Sequence, residues 1–306
     1  MTYFDELVST YSLPHAYQKR ETRVAFEIPR LFVLPPGTTM SKLTRSYSRA
    51  KHAAGEQFDS PRDVRGFLRS KRRFEQFSYE HSTYLSESVK FDKLGTIADE
   101  SIKPILLYYS TIMLFSFLSE SIFWFNNPKR NHGLSLDAEQ EVSPSSCKLT
   151  VWPSGMFARV VDTYTLLGGQ TEFSPFSVIG SGRAEPTNNE SSYLKPRDFS
   201  LEHVVDLYDS RTAAHNPQYA DLCTFLMLFV ASSLARYHPY LWKEVTDGIS
   251  NEYILNFRKA MARTPILIRK VVFAMETAAD GRHPAAILGK TDDQIAGISK
   301  PDNLWR

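Results

Sequence analysis

Between Ile105 and Phe125 the chain reads ILLYYSTIMLFSFLSESIFWF, the longest apolar run in the sequence. A helix of this length can span a bilayer. Its composition argues against that use. Ser110, Thr111, Ser116, Ser119, Glu120 and Ser121 interrupt the run, and no cluster of Lys or Arg flanks it. An acid in lipid costs a few kcal/mol. A helix that is apolar nearly all round and does not lie in lipid belongs at the centre of a large helical domain.

A second apolar stretch has the same character. Pro217–Tyr237 contains YADLCTFLMLFVASSLARY, and its unbroken core, Leu222–Ala235, is too short to span a membrane. Two such helices about a hundred residues apart are natural partners in a central bundle. Helical patterns also cover 80–93, 156–167 and 200–209. In the last, Ser200 is placed to cap SLEHVVDLYD. The 251–278 stretch is helical too, with Pro265 expected to split it after Arg263. Ser60-Pro61-Arg62-Asp63 is a further helix start, with Val64, Phe67 and Leu68 on one face. The spacing predicts a mainly α protein, a helical bundle built on two long apolar helices with a few short strands. Residues 126–200 are turn-rich and form a long middle loop region.

Three parts are expected: a basic N-terminal extension of short strands and loops over 1–55, a helical domain over 56–280, and a partly ordered tail over 281–306. At 306 residues and 42% hydrophobic content the chain can bury a core without staples. Cys147 and Cys223 form no CxxC pair, which argues against a zinc site and a disulfide scaffold. The first twenty residues contain no apolar signal-peptide core, so the expected location is cytoplasmic. Net charge is only +2, yet between His15 and Glu75 fourteen Lys and Arg face six acids. That local excess can attract phosphates, or it can be an ordinary solvated face. There is no Walker loop, HExxH, GxSxG or CxxC, and Gly180–Arg183 (GSGR) lacks the strand–helix context of a phosphate loop. No cofactor and no metal are expected.

Four short stretches occur in order: KPILLYYSTIMLFSFL (103–118), NHGL (131–134), PSGMF (153–157) and SSLARYHPYLW (232–242). Their order and spacing resemble the bacterial YaaC-like protein family. There, a KPxLxYYxxxxL helix precedes a His-Gly pair, a Gly-x-Phe segment and a SxLxRYHPxxW helix end. FDSPRDVRGFL (58–68) resembles the family's N-terminal part, and the match covers about 55–280. The resemblance implies a mostly helical protein with HEPN-like core helices. HEPN relatives are often ribonucleases of bacterial defence and toxin systems, while others only bind. They often pair, so the resemblance also implies a homodimer.

The HEPN nuclease signature places an Arg and a following His with four to six residues between them. Imidazole titrates near working pH, and Arg grips phosphate as a fork. Here Asn127 stands in the Arg position before His132, with Lys129 and Arg130 beside it. His132 is then the acid–base residue, Asn127, Lys129, Arg130 or Arg236 holds phosphate, and Glu120 on the preceding helix orients the imidazole; alternatively this is a polar loop whose His caps the helix end. Arg197 and His203 match the spacing formally. Arg236 and His238 allow two readings. They are cations in the last turn of a helix, stabilised by its free carbonyls. Alternatively, they face His132 across the bundle and share a polar pocket walled by Tyr108 and Tyr109.

Three functions fit these readings: a metal-independent RNase effector of a defence or stress system, an inactive HEPN-like module that binds nucleic acid or a partner protein, and a helical scaffold subunit of a defence complex. No membrane partner is expected.

Overall fold

A computed structural model describes residues 71–123, 131–138, 144–152, 155–166, 197–209, 216–247, 251–279 and 284–298. The expectations for 1–55, for the helix start at Ser60 and for most of the middle loop lie outside the described residues, as do 281–283 and 299–306 of the tail. Helix makes up 77% of the described part, so the chain is mainly α. In chain order the helices are α1 (Lys71–Ile97), α2 (Lys103–Phe123), α3 (Met156–Leu166), α4 (Leu201–Asp209), α5 (Pro217–Tyr237), α6 (Pro239–Thr246), α7 (Asn251–Ala262), α8 (Thr264–Ala279), α9 (Ala285–Leu288) and α10 (Asp292–Ala296). Three short strands, β1 (Leu134–Asp137), β2 (Lys148–Val151) and β3 (Arg197–Ser200), form an antiparallel sheet in that order.

Helix α1 extends beyond the 80–93 expected from its pattern. No proline or glycine stands between Lys71 and Lys93 to stop it. It folds back on α2 through the 98–102 turn. There the Asp99 carbonyl accepts the amides of Ile102 and Lys103 at 3.0 and 2.8 Å. Ser110 Oγ donates to the Ser88 carbonyl at 2.8 Å across this hairpin. Gly95 lets the helices close, because a Cβ there would stand 2.6 Å from Leu107 Cδ2.

Helix α5 begins with Asn216 accepting the Tyr219 amide and Pro217 in the first turn. It ends at His238, and Pro239 starts α6. It is long and apolar enough to cross a membrane, contrary to the shorter core read from its sequence, and 89% of its apolar window is buried inside the fold. Phe225 holds α5 to its neighbours. Its ring lies 5.5 Å from Phe115 and 5.8 Å from Tyr108 of α2, and it stacks on Phe157 of α3 at 5.7 Å. Trp242 of α6 donates its indole N–H to the Glu100 carbonyl at 3.0 Å, tying α6 to the α1–α2 turn.

The second half of the core is held by charge. Asp221 on α5 is fully buried. It accepts from Arg263 Nη2 at 2.7 Å, from Lys270 Nζ at 2.8 Å and from the Tyr164 hydroxyl at 2.9 Å. Arg263 also donates to Thr224 Oγ1 at 2.9 Å and through Nη2 to Asp292 of α10 at 2.7 Å. Burial lowers the Lys270 pKa, and Asp221 opposes that shift. Two acids and two bases make the group neutral, which is how charges are tolerated in an interior. Arg263 sits between α7 and α8, at the break expected from Pro265. Residues 284–298, within the tail expected to be partly ordered, form α9 and α10, and Ile287, Leu288, Ile295 and Ile298 are buried.

Candidate functional site

The four stretches that carry the family resemblance meet at one place. Tyr108 of α2 is fully buried. Its ring lies 5.5 Å from His132 and 5.5 Å from Phe229 of α5, and His132 lies 6.2 Å from Phe229. One residue before Tyr237, the end of α5, Arg236 Nη1 donates to the Tyr109 hydroxyl at 2.9 Å. Its guanidinium stands 5.7 Å from the centre of the Tyr109 ring and 4.7 Å from that of Tyr237. Phe225, Phe229, Ser232 and Arg236 recur at helical spacing, so one stripe of α5 faces the two tyrosines of α2.

The PSGMF stretch fixes His132 through the backbone. The first amides of α3, those of Met156 and Phe157, donate to the carbonyls of Asn131 and His132 at 3.0 Å each. Helix-start amides have no partner within their own helix, and here the NHG segment supplies the acceptors. Trp152 N–H donates to the Gly133 carbonyl at 2.9 Å, continuing the β1–β2 ladder outward. Gly133 and Gly155 have φ of 71° and 107°, in the region that favours glycine. A Cβ on Gly155 would fall onto the Gly133 backbone nitrogen and Cα. The two motifs interleave at a distance only glycine permits.

Electrostatically the site is cationic and short of acceptors. Tyr108 Oη, Ser232 Oγ and Arg236 Nε are buried without a hydrogen-bond partner. Buried polar groups are nearly always satisfied, and these three lie on α2 and α5 among the described residues. Burial lowers the His132 pKa below its ordinary 6.5, and the positive charge of Arg236 lowers it further. Burial pushes the Tyr108 hydroxyl well above 10, with Arg236 opposing. Near pH 7 the pair therefore offers a neutral imidazole and a neutral phenol beside a permanent cation. Among the described residues no group of three or more His, Cys, Asp or Glu could hold a metal ion.

Of the residues singled out from sequence, Tyr109, His132 and Arg236 come together, with Tyr108 between them. His238 does not join the Tyr108–His132 contact. Its ring packs edge-on against Tyr240 at 6.4 Å, and its amide closes α5 on the Leu234 carbonyl. Asn127, Lys129 and Arg130 lie outside the described residues, as does the side chain of Glu120, whose backbone is in α2. His203 is exposed in α4 and stacks on Phe199 at 5.5 Å, with its amide on Ser200 Oγ. Sequence reading missed Ser232 and the whole Asp221 group. A lone acid in YADLCTFLMLF and a lone lysine in RKVVFAM were the available signals, since such charges are rarely buried unless paired.

Comparison of the chain with family models, with curated proteins and with solved structures found no significant match.

Proposed function

We propose that the protein is a YaaC-like, HEPN-like helical protein that cleaves RNA without a metal, as the effector of a bacterial defence or stress system. The observation that carries this reading is His132 packed on Tyr108, next to Tyr109, whose hydroxyl accepts from Arg236. Arg236 then binds a non-bridging oxygen of a phosphodiester. The neutral imidazole of His132 takes the proton of the adjacent 2′-hydroxyl as that oxygen bonds to phosphorus. The bond from phosphorus to the 5′-oxygen breaks, and the departing oxygen takes a proton from water. The hydroxide left behind neutralises the imidazolium. The products are a 2′,3′-cyclic phosphate and a 5′-hydroxyl. Asn127, Lys129 and Arg130 keep their proposed place beside the phosphate, and Glu120 its place orienting His132. The same reading includes a homodimer and a protein partner in the defence system.

A second reading is a catalytically inactive module that binds nucleic acid or a partner protein. Asn127 in place of the signature Arg favours it. A helical scaffold is the third.

Cleavage of labelled single-stranded RNA in the presence of EDTA separates these readings. The wild type is expected to cleave, and His132→Ala to lose about 10²- to 10⁴-fold in rate, the usual contribution of a positioned acid–base group. Equal rates for both proteins would move the chemistry away from His132. Binding without cleavage, weakening steeply with salt, would favour the inactive module.

A further inference from the structure

Two of the exposed large side chains lie beside the candidate site and are aromatic. Tyr237 is 65% exposed and Tyr240 50% exposed, and they stand on either side of the His238–Pro239 break between α5 and α6. Of the exposed aliphatic residues among those described, Leu94, Ile97 and Ile102 gather at the α1–α2 turn and Leu255 stands on α7. Trp152, the other large exposed aromatic among the described residues, has its indole N–H on Ser135 Oγ of β1 at 3.1 Å.

The two tyrosines are not loose. The Arg236 guanidinium lies 4.7 Å from the Tyr237 ring centre, and His238 packs edge-on against Tyr240. Pro239 fixes the backbone between them. Each ring has one such neighbour while much of its surface remains open to solvent. Among the described residues Arg236 pairs with no acid: its hydrogen bond goes to the Tyr109 hydroxyl, and its Nε has no partner there. A fixed cation edged by fixed, exposed aromatic rings suits a ligand with alternating anionic and flat aromatic groups. An unpaired nucleic-acid strand has that pattern, since every base offers a π-face and every linkage a charge. A duplex does not, because its bases are already stacked on one another.

We propose that Tyr237 and Tyr240 form a stacking platform that admits an unpaired strand, with bases next to the phosphate at Arg236 resting on the two rings. This rests on the reading that a phosphodiester sits at Arg236 and His132, and it names the substrate as single-stranded.

The test uses a short labelled oligothymidylate, which lacks the 2′-hydroxyl and is not cleaved, alongside an abasic strand of equal length. Binding is followed by fluorescence anisotropy for the wild type, Tyr237→Ala/Tyr240→Ala and Tyr237→Phe/Tyr240→Phe. The alanine pair is expected to weaken oligothymidylate binding roughly five- to hundredfold, from the usual strength of base–aromatic stacking. The phenylalanine pair should bind as the wild type does, and the abasic strand should bind all three proteins alike. Unchanged oligothymidylate binding by the alanine pair, or an equal loss for the abasic strand, would overturn the platform. RNA cleavage by the same proteins keeps the two ideas apart. The platform requires the alanine pair to raise KM and leave kcat near the wild-type value. Cleavage with unaltered KM would remove the platform and leave the nuclease standing. Tyrosine-dependent binding without cleavage would do the reverse, and a wild type that binds no strand would remove both.

Discussion

Asp221→Ala is expected to destabilise the fold by about 3–5 kcal/mol, the usual result of removing one partner from a buried ion pair. The Asp221 carboxylate is fully buried and accepts from Arg263, Lys270 and the Tyr164 hydroxyl. Without it Lys270, itself fully buried, keeps only a long 3.4 Å contact to the Pro217 carbonyl. Arg263 retains Asp292 and Thr224. Neutralising Lys270 or admitting water would lessen the loss without restoring the packing. Because the acid ties α5 to α8 and α3, the whole second half of the core should weaken together. Urea denaturation would read this as a lower midpoint with an unchanged slope. The Arg258–Glu100 pair is the internal control. Its side chains are 53% and 45% exposed, so Glu100→Gln should stay within about 1 kcal/mol.

Gly155→Ala is expected to disable the site although the residue carries no functional group. A non-glycine residue at φ 107° costs about 1–3 kcal/mol. The added methyl would also meet the Gly133 backbone and stand 2.6 Å from Asn131 Oδ1. These neighbours are segment backbone and a short side chain, so the clash relaxes by moving the 131–133 segment off the start of α3. That displaces His132 from Tyr108 and frees the amides of Met156 and Phe157. RNA cleavage should fall about as far as in His132→Ala, with a loss of stability that His132→Ala does not show. Gly289→Ala is the matching control. Its φ is −80°, and the new Cβ would meet only the Ala285 carbonyl oxygen, at 3.2 Å. Its effect should be confined to the α9 end.

These expectations depend on features of unequal legibility. Helix α5 could be read from end to end because punctuation marks both limits: Asn216-Pro217 at the start and His238-Pro239 at the stop. Ser200 as a cap and the break near Arg263 were legible for the same reason, since a hydroxyl or a proline acts locally. The sheet was not. Each strand has four residues, too few for alternation to stand out from turn-rich surroundings. Helices α9 and α10 are shorter than most free-standing helices, and their order comes from packing on α8 and from Arg263 reaching Asp292. At the site, the helix-end reading of Arg236 and the pocket reading were both open from sequence. Tyr109 accepting from Arg236 and Tyr108 touching His132 are long-range pairings, and no local pattern encodes them. The isolated His238 was equally invisible: it is two residues from Arg236, yet its ring turns to Tyr240.

The central claim is that His132 acts as a neutral base under the influence of Arg236. The pH dependence of kcat/KM for RNA cleavage, which reports the groups of the free protein, measured with EDTA for the wild type and Arg236→Gln, tests it most directly. Burial and the Arg236 charge both disfavour the imidazolium, so the base stays active as pH falls until its lowered pKa is reached. The wild-type rate should therefore drop along an acid limb centred below 6.5. Removing the Arg236 charge should move that limb upward, toward 6.5 but not past it, because burial remains. A limb that stays in place in Arg236→Gln, a rate with no acid limb, or no cleavage by the wild type would contradict the account.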